Sequence, residues 1–383
     1  MVEAVRRGKS LQRVANEYHV AKSTVEFWVK RAKGKRLDRT DWTDRSAGQE
    51  TAHNRTAYRI EQCVLQLRKE LKESSPLGEY GADAIKDEMQ RLGCVHPIGR
   101  STINRILQRH GMFDGKKRQR RTPPPIGWYL PDVAHGKAEL DQFDFVEDLC
   151  LEGGQLLHVF NGISLHGGLV VSCPVSQMRA ENTVRNLTSF WTEFGLPDYA
   201  QFDNSTIFQG SRWADSLGRV IRFCLNLGVI PVFVPPHETG FQASIESYNG
   251  RWQKGVWQRF HFANLKAVQQ QSAKYVEAVI TKNASRRDGT PTRWEFPDDW
   301  QLDYQKRPQG KVIFIRRTNA QGQVEVMGHH WILESIGAHR LVRAEVNLTK
   351  NKIDFYRLRR REPSEQMHLG TAEYRFPKKV FNE

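Results

Sequence analysis

The chain has 383 residues, 39% of them hydrophobic, and its 58 Lys and Arg against 43 Asp and Glu give a formal charge of +15. That length suits two or three domains with cores of their own; no run of about 18 apolar residues offers a spanning helix, and the N-terminus lacks the apolar stretch of a secretory signal. Five scattered cysteines (Cys63, Cys94, Cys150, Cys173 and Cys224), none in a C-x-x-C pair, argue against a disulfide framework or a zinc ribbon and suit a reducing cytoplasm.

The charge is unevenly divided: residues 1–130 carry +12, 131–300 carry −4 and 301–383 carry +7. Basic flanks supply phosphate contacts and counterion release on a nucleic acid. An acidic middle repels phosphate unless it holds cations, so metal-binding carboxylates are expected there.

Within residues 1–54, Leu11, Val14, Ala15 and Tyr18 fall at helical spacing, and Val25, Trp28 and Val29 repeat it. Ser23 or Thr24 is placed to cap the second helix. Two short helices joined by a tight turn predict a helix-turn-helix, similar to those of transposases and regulators. Its second helix would enter a major groove and present Lys22, Ser23, Thr24, Lys30 and Arg31. A plain helical hairpin is the alternative.

Residues 55–115 predict a second all-α, helix-turn-helix-like module. One helix spans 58–73, another opens at Gly81-Ala82-Asp83, and a third is capped by Ser101-Thr102 with Ile103, Ile106 and Leu107 inward. Arg100, Thr102, Asn104, Arg105 and Arg109 are then available to DNA, unless they merely form a basic solvated surface. The run KKRQRRTPPP at 116–125 cannot pack a core. It predicts an extended basic linker over 116–130, with Lys116, Lys117 and Arg118 placed to follow a phosphate backbone.

Beyond Trp128 the pattern turns to strands at 140–146, 155–163 and 168–175, a helix at 179–194, strands at 199–202 and 229–234, and a helix from Gln242. This is an α/β layer. Asp144 lies in an apolar run and Asp203 at a strand end, neither with a basic neighbour in sequence, and burying an ionised carboxylate alone is costly. Carboxylates brought together repel unless divalent cations lie between them, and oxygen-only ligation suits Mg²⁺ or Mn²⁺. Two such ions roughly 4 Å apart clamp an in-line phosphoryl transfer. Lone Asp residues also cap turns, which leaves the bland reading open.

Asp144 in QFDFV, Asp203 in FDNS and Glu246 in GFQASIESYNGRW resemble the D-D-E catalytic core of insertion-sequence transposases and retroviral integrases. Ser164 in a strand-to-strand turn, the helix-ending Gly-Leu-Pro, Asn204 after the second Asp, the double Pro and Gln242 four residues before Glu246 extend the likeness over residues 138–290. The resemblance implies a ribonuclease-H-like catalytic core with a mixed sheet over 131–290, two Mg²⁺ (Mn²⁺ as substitute) held by the three carboxylates, and cleavage and strand transfer of DNA. Implied partners are double-stranded DNA, namely terminal inverted repeats and a target, and further copies of the chain; no membrane is involved, and the location is the cytoplasm. Asp141 is a rival first carboxylate, and Asp144 is preferred because it lies deeper in the apolar run. Glu147 and Asp148 read as a solvated acidic turn.

Three departures stand out. Asp203 and Glu246 are separated by more residues than is usual, which points to an insertion within 209–219. Ser205 stands where the family has Gly. Gln253 stands where Lys is frequent, with Lys254 beside it. Arg251 and Lys254 give the Glu246 helix a basic, DNA-facing side, whereas Tyr248, Trp252 and Trp257 read as packing residues.

Short strands over 311–358 predict a small C-terminal β-barrel within 291–361. Its arginines, including Arg316, Arg317, Arg340 and Arg343, would serve DNA, or the barrel a subunit contact. Residues 362–383 read as a tail. The expected whole is multidomain and acts as a DNA transposase. A domesticated DNA-binding regulator and a metal-dependent nuclease without strand transfer are the alternatives.

Overall fold

The computed structural model describes residues 1–43, 56–94, 98–113, 126–211, 213–236, 238, 240–333, 335–378 and 380–381. The chain forms two compact units, Met1–Tyr58 and Arg59–Glu383.

The first unit holds α1 (Val2–Arg6), α2 (Leu11–Glu17) and α3 (Lys22–Ala32) around Val14, Ala15 and Val25. The Ser10 hydroxyl accepts from Arg13 N at 3.3 Å and so starts α2, supplying an otherwise orphaned amide with a partner. His19, at φ 50°, turns the chain between α2 and α3. The cap expected from Ser23 or Thr24 is absent: Ala21 is the N-cap, and both hydroxyl residues lie inside the first turn. The apolar period of α1 was too short to register in the sequence, yet Val2 is buried, and Arg6 donates to the carbonyls of Ala32 and Lys35 at 2.6 and 2.7 Å.

The second unit begins with α4 (Tyr58–Ser74), α5 (Ala82–Arg91) and α6 (Arg100–Arg109), which share a core of Val64, Leu67, Ile85, Met89, Ile103, Ile106 and Leu107. Here too a cap is displaced: Gly99 is the N-cap of α6, and Ser101 and Thr102 sit within the helix. The basic run at 116–121, including Lys116, Lys117 and Arg118, lies outside the described residues. The end of the expected linker does not behave as one. Trp128, Tyr129 and Leu130 are buried against Phe241, Val232 and Ile313, because three consecutive large apolar residues find a core before α7 (Pro131–Ala134).

The remainder is built on one sheet. Strands β1 (Leu140–Cys150), β2 (Leu156–Ser164) and β3 (Val170–Val175) form an antiparallel meander. After α8 (Ala180–Phe194), β4 (Tyr199–Phe202) lies parallel to β1; after α9 (Thr206–Gln209) and α10 (Arg219–Asn226), β5 (Ile230–Phe233) lies parallel to β4. Helix α11 (Ala243–Trp252) runs into a π-helical turn at Gln253–Trp257 and is followed by α12 (Leu265–Lys282). Trp191, Phe190 and Phe223 from α8 and α10 cover one face, and Tyr248, Trp252 and Val268 from α11 and α12 the other. The turn at Ser164 is fixed by the buried Glu139 carboxylate, which accepts from Ser164 Oγ, His166 N and Gly167 N at 3.0 Å each.

The expected C-terminal barrel is not formed. Strand β6 (Lys311–Arg317) pairs in parallel with β5, and β9 (Leu341–Asn347), β10 (Lys352–Arg357) and β11 (Met367–Glu373) follow antiparallel; β7 (Gln323–Val326) and β8 (His329–Ile332) make a separate hairpin. The nine-stranded order is β11-β10-β9-β6-β5-β4-β1-β2-β3. The reason lies in β6: Val312 and Phe314 enter the core shared with Phe233, while Ile313 and Ile315 enter the opposite one. A strand apolar on both faces belongs inside a covered sheet, not in a small barrel with one wet side. The boundary at 290–291 therefore dissolves. The expected tail also contributes β11, and Tyr374 and Phe376 are buried. Among the described residues no helix is long and apolar enough to cross a membrane.

Candidate active site

Parallel pairing sets the site. Gln142 on β1 is level with Gln201 on β4, so two residues further along Asp144, in the middle of β1, comes beside Asp203, just past the carboxyl end of β4. In open α/β sheets this is where ligands bind. The tripeptide Gln-Phe-Asp occurs at both places, and each part has its task. The phenylalanines, Phe143 and Phe202, stack 5.6 Å apart in the core. The glutamines point the other way: Gln142 Nε2 and Gln201 Nε2 donate to Phe241 O at 3.0 and 3.1 Å, and Gln142 Oε1 accepts from Ile245 N at 3.2 Å. Tyr129 adds a hydroxyl bond to Gln201 and one to Phe241 O at 3.2 Å. This buried clamp fixes the start of α11, whose first turn carries Glu246. Sequence reading missed Tyr129 and Gln201 as positioning residues; the repeated Gln-Phe-Asp is the signal for Gln201, and Tyr129 has none.

Asp144 Oδ2 accepts from Asn249 Nδ2 at 2.8 Å, and Asn249 Oδ1 accepts from Asn161 Nδ2 at 2.8 Å. Asn161 faces Asp144 across the β1–β2 pair. Burial pushes the Asp144 carboxyl up to about 7, and the charge of Asp203 and, more weakly, that of Glu246 push the same way. Asp203 and Glu246 thus both lie near enough to Asp144 to disfavour its charge. Asp203 Oδ1 accepts from Ser205 N at 2.9 Å, and Asn204 Nδ2 donates to Val234 O. Three buried polar atoms nearby, Asn204 Oδ1, Ser205 Oγ and Gln242 Nε2, have no partner. All line an open groove of about 980 Å³ with Asp203 and Glu246.

The rival, Asp141, is spent elsewhere. Fully buried on the opposite face of β1, it accepts from Arg293 Nη1 and Nη2 at 2.9 and 2.8 Å and from Trp191 Nε1 at 3.0 Å. Glu147 and Asp148 are exposed at a bulge of β1.

The oxygen-only donors and the unpartnered Asn204 and Ser205 oxygens suit a hard divalent cation. Yet among the described residues no three His, Cys, Asp or Glu side chains are drawn tightly enough to hold one ion in this conformation. Glu246 is exposed on the first turn of α11 and is the weaker of the two influences on Asp144.

The expected DNA contacts divide into open and committed groups. Lys22, Ser23 and Lys30 are exposed on α3, with Thr24 half-buried. Arg31 is not available: its side chain is 9% exposed, paired with Asp41 at 2.9 Å and set over Trp28. Arg105 is exposed and Thr102 and Asn104 are half-buried on α6; Arg100 pairs with Asp83 at 3.4 Å, and Arg109 with the buried Glu61 at 2.9 Å. Arg251 and Lys254 are exposed beside Glu246. Tyr248 and Trp252 are fully buried, and Trp257 stacks on Phe262. Two C-terminal arginines expected on a DNA-facing surface are internal. Burial pulls Arg316 down to about 10 while it donates to the carbonyls of Val234 and Ile315, and Arg343 donates to Tyr129 O at 3.0 Å.

No protein family and no curated protein matches the chain. Similar solved structures include the catalytic core domain of BIV integrase (14% identity, 36% of this chain and 81% of that one, TM-score 0.28). Another is the simian T-cell lymphotropic virus intasome in complex with a PP2A regulatory subunit (13%, 68% and 88%, TM-score 0.32). A third is the HTLV-2 integrase catalytic core domain in complex with magnesium (14%, 38% and 80%, TM-score 0.25). The chain itself is a mixed α/β protein with one large mixed sheet.

Proposed function

We propose that the protein is a DNA transposase of the D-D-E kind, a polynucleotidyl transferase with Asp144, Asp203 and Glu246 as its catalytic carboxylates. The observation that supports this reading is the placing of Asp144 and Asp203 side by side on neighbouring parallel strands, with Asp144 raised to about 7 by burial and by the charges of Asp203 and Glu246. Those three residues would hold two Mg²⁺, or Mn²⁺, whose bound charge favours in-line displacement at phosphorus. The chain supplies position: Asn161 and Asn249 orient Asp144, and the Gln142–Gln201 clamp orients α11 and thereby Glu246. Arg251 and Lys254 meet the phosphate backbone alongside. In the first step water attacks a phosphodiester and a 3′-OH leaves; in the second that 3′-OH attacks a target phosphodiester, forming one P–O bond as another breaks. The exposed faces of α3 and α6 bind the terminal repeats, and copies of the chain act together on two ends.

A labelled DNA carrying an element end, incubated with Mg²⁺ and either wild type or Asp203→Asn, tests this. Cleaved and joined products lost in the variant support transposition. Cleavage without joining identifies a nuclease, and specific binding with neither product identifies a regulator.

A further inference from the structure

Helix α11 does not stop at Trp252 but passes into the π-helical turn Gln253–Trp257, an irregularity that recurs at functional sites. Here that turn meets the segment that follows α4. Gly255 is buried, and a Cβ on it would lie 2.7 Å from Tyr275 Cε2 and 3.1 Å from Leu77 O. Gly78, left-handed at φ 64°, faces it: a Cβ there would lie 3.3 Å from Gly255 Cα. Leu77 packs against the core of Tyr248, Trp252 and Val256. Just past the turn, Arg259 reaches back to α4. Its Nη1 donates to Ser75 O, and its Nη2 to Glu73 O and, at 3.5 Å, Lys72 O. A helix end leaves such carbonyls without helical partners, and a cation there also meets the negative end of the helix dipole. Lys282, closing α12, pairs with Glu79. Arg259 is thus committed to the protein, and the α4–α6 module is fastened to the continuation of the helix that carries Glu246. Allowing for the 17 residues of α4, the packing of α6 on it and the run of α11 from Gly255 back to Glu246, the two surfaces lie within roughly 50 Å, about fifteen base pairs of duplex.

We propose that Arg259 is a positioning residue: it locks the α4–α6 module to the Glu246 helix, so that one copy of the chain reads a DNA end with α6 and holds that same end against Arg251 and Lys254 at one fixed spacing. This coupling rests on the proposed reading of both surfaces as DNA sites, but no cleavage is needed to test it. The full chain is footprinted with hydroxyl radicals, in EDTA, on a duplex carrying an element end. Two protected patches are expected, the one lost in Arg105→Ala belonging to α6 and the one lost in Lys254→Ala to α11. Inserting about five base pairs, half a helical turn, between them should remove the α11 patch in wild type. Arg259→Ala should regain that patch on the lengthened duplex and blur it on the native one, while its affinity changes less than about twofold because the phosphate contacts are kept. Arg259→Lys, which retains a donor to the α4 carbonyls, should fall between the two. Glu79→Gln, which loosens the docking at Lys282, should move the patch the same way and serves if Arg259→Ala does not fold. Wild type that protects both patches at either spacing, or lacks one of them, overturns the coupling. So does an Arg259→Ala chain that melts lower yet keeps the wild-type spacing, which would make Arg259 merely structural. Return of the α11 patch when Arg105→Ala is mixed with Lys254→Ala also overturns it, since two copies would then share the work. A fixed spacing in a chain that neither cleaves nor joins DNA would uphold the coupling while overturning transposition.

Discussion

The two halves of the sheet use buried charge in opposite ways. Within β1, Asp144 is pushed up to about 7 by burial first and by the like charges of Asp203 and Glu246, and its hydrogen bonds do not offset them. On β6, Arg316 is also buried and also displaced, down to about 10, but it donates to backbone carbonyls and holds β5 to β6. A charge whose partners are neutral carbonyls is structural; one whose partners share its sign is a site waiting for a counter-charge.

The strongest way to break this contrast is at the carboxylates. Asp203→Asn should lower strand cleavage by about three orders of magnitude or more, measured as product per unit time, with little change in folding. Retained cleavage would move the chemistry elsewhere. The opposite half should respond in stability. Phe314→Ala opens a cavity beneath Phe233 at the β5–β6 seam and should cost about 3–5 kcal/mol in denaturant unfolding. A change under about 1 kcal/mol would mean that β6 is not part of the core.

Asp144 makes the comparison pH-dependent. In the folded chain it keeps its proton up to about pH 7, against 3.8 ordinarily. Over that window the unfolded state binds fewer protons, so metal-free stability should fall as pH rises from about 4 to 7. Asp144→Asn should flatten that fall and melt above wild type at pH 8; a steeper fall in the variant would contradict the assignment. The smallest expected effect is at α3. Lys30→Ala should reduce the salt slope of DNA binding by about one, while Arg31→Ala, which loses its Trp28 and Asp41 contacts, should lower stability and leave that slope unchanged.

What was legible in the sequence follows the same division. Helical period located α2 to α6, and alternating or apolar runs located all five strands of the β1–β5 half, because each signal is local. The two hydroxyl caps were misplaced, since Ala21 and Gly99, extended and without a side-chain cap bond, start these helices and leave no residue-type signal. The barrel failed for a non-local reason. Five short strands say that a sheet exists, but only the pairing of Val232 with Ile313 says which sheet it joins. The carboxylates stood out as charges in apolar runs. Their support, Tyr129 above all, lay in a stretch read as linker.

The unbroken sheet also governs how the molecule comes apart. Strands that formed a tethered barrel would open independently, and their amides would exchange with solvent at a free energy well below that of the core. Here β9 is stitched to β6 along seven consecutive residue pairs, from Lys311–Asn347 to Arg317–Leu341. Its protection should therefore match that of β4, so that residues 341–347 unlock only when the strands that carry Asp144 and Asp203 do.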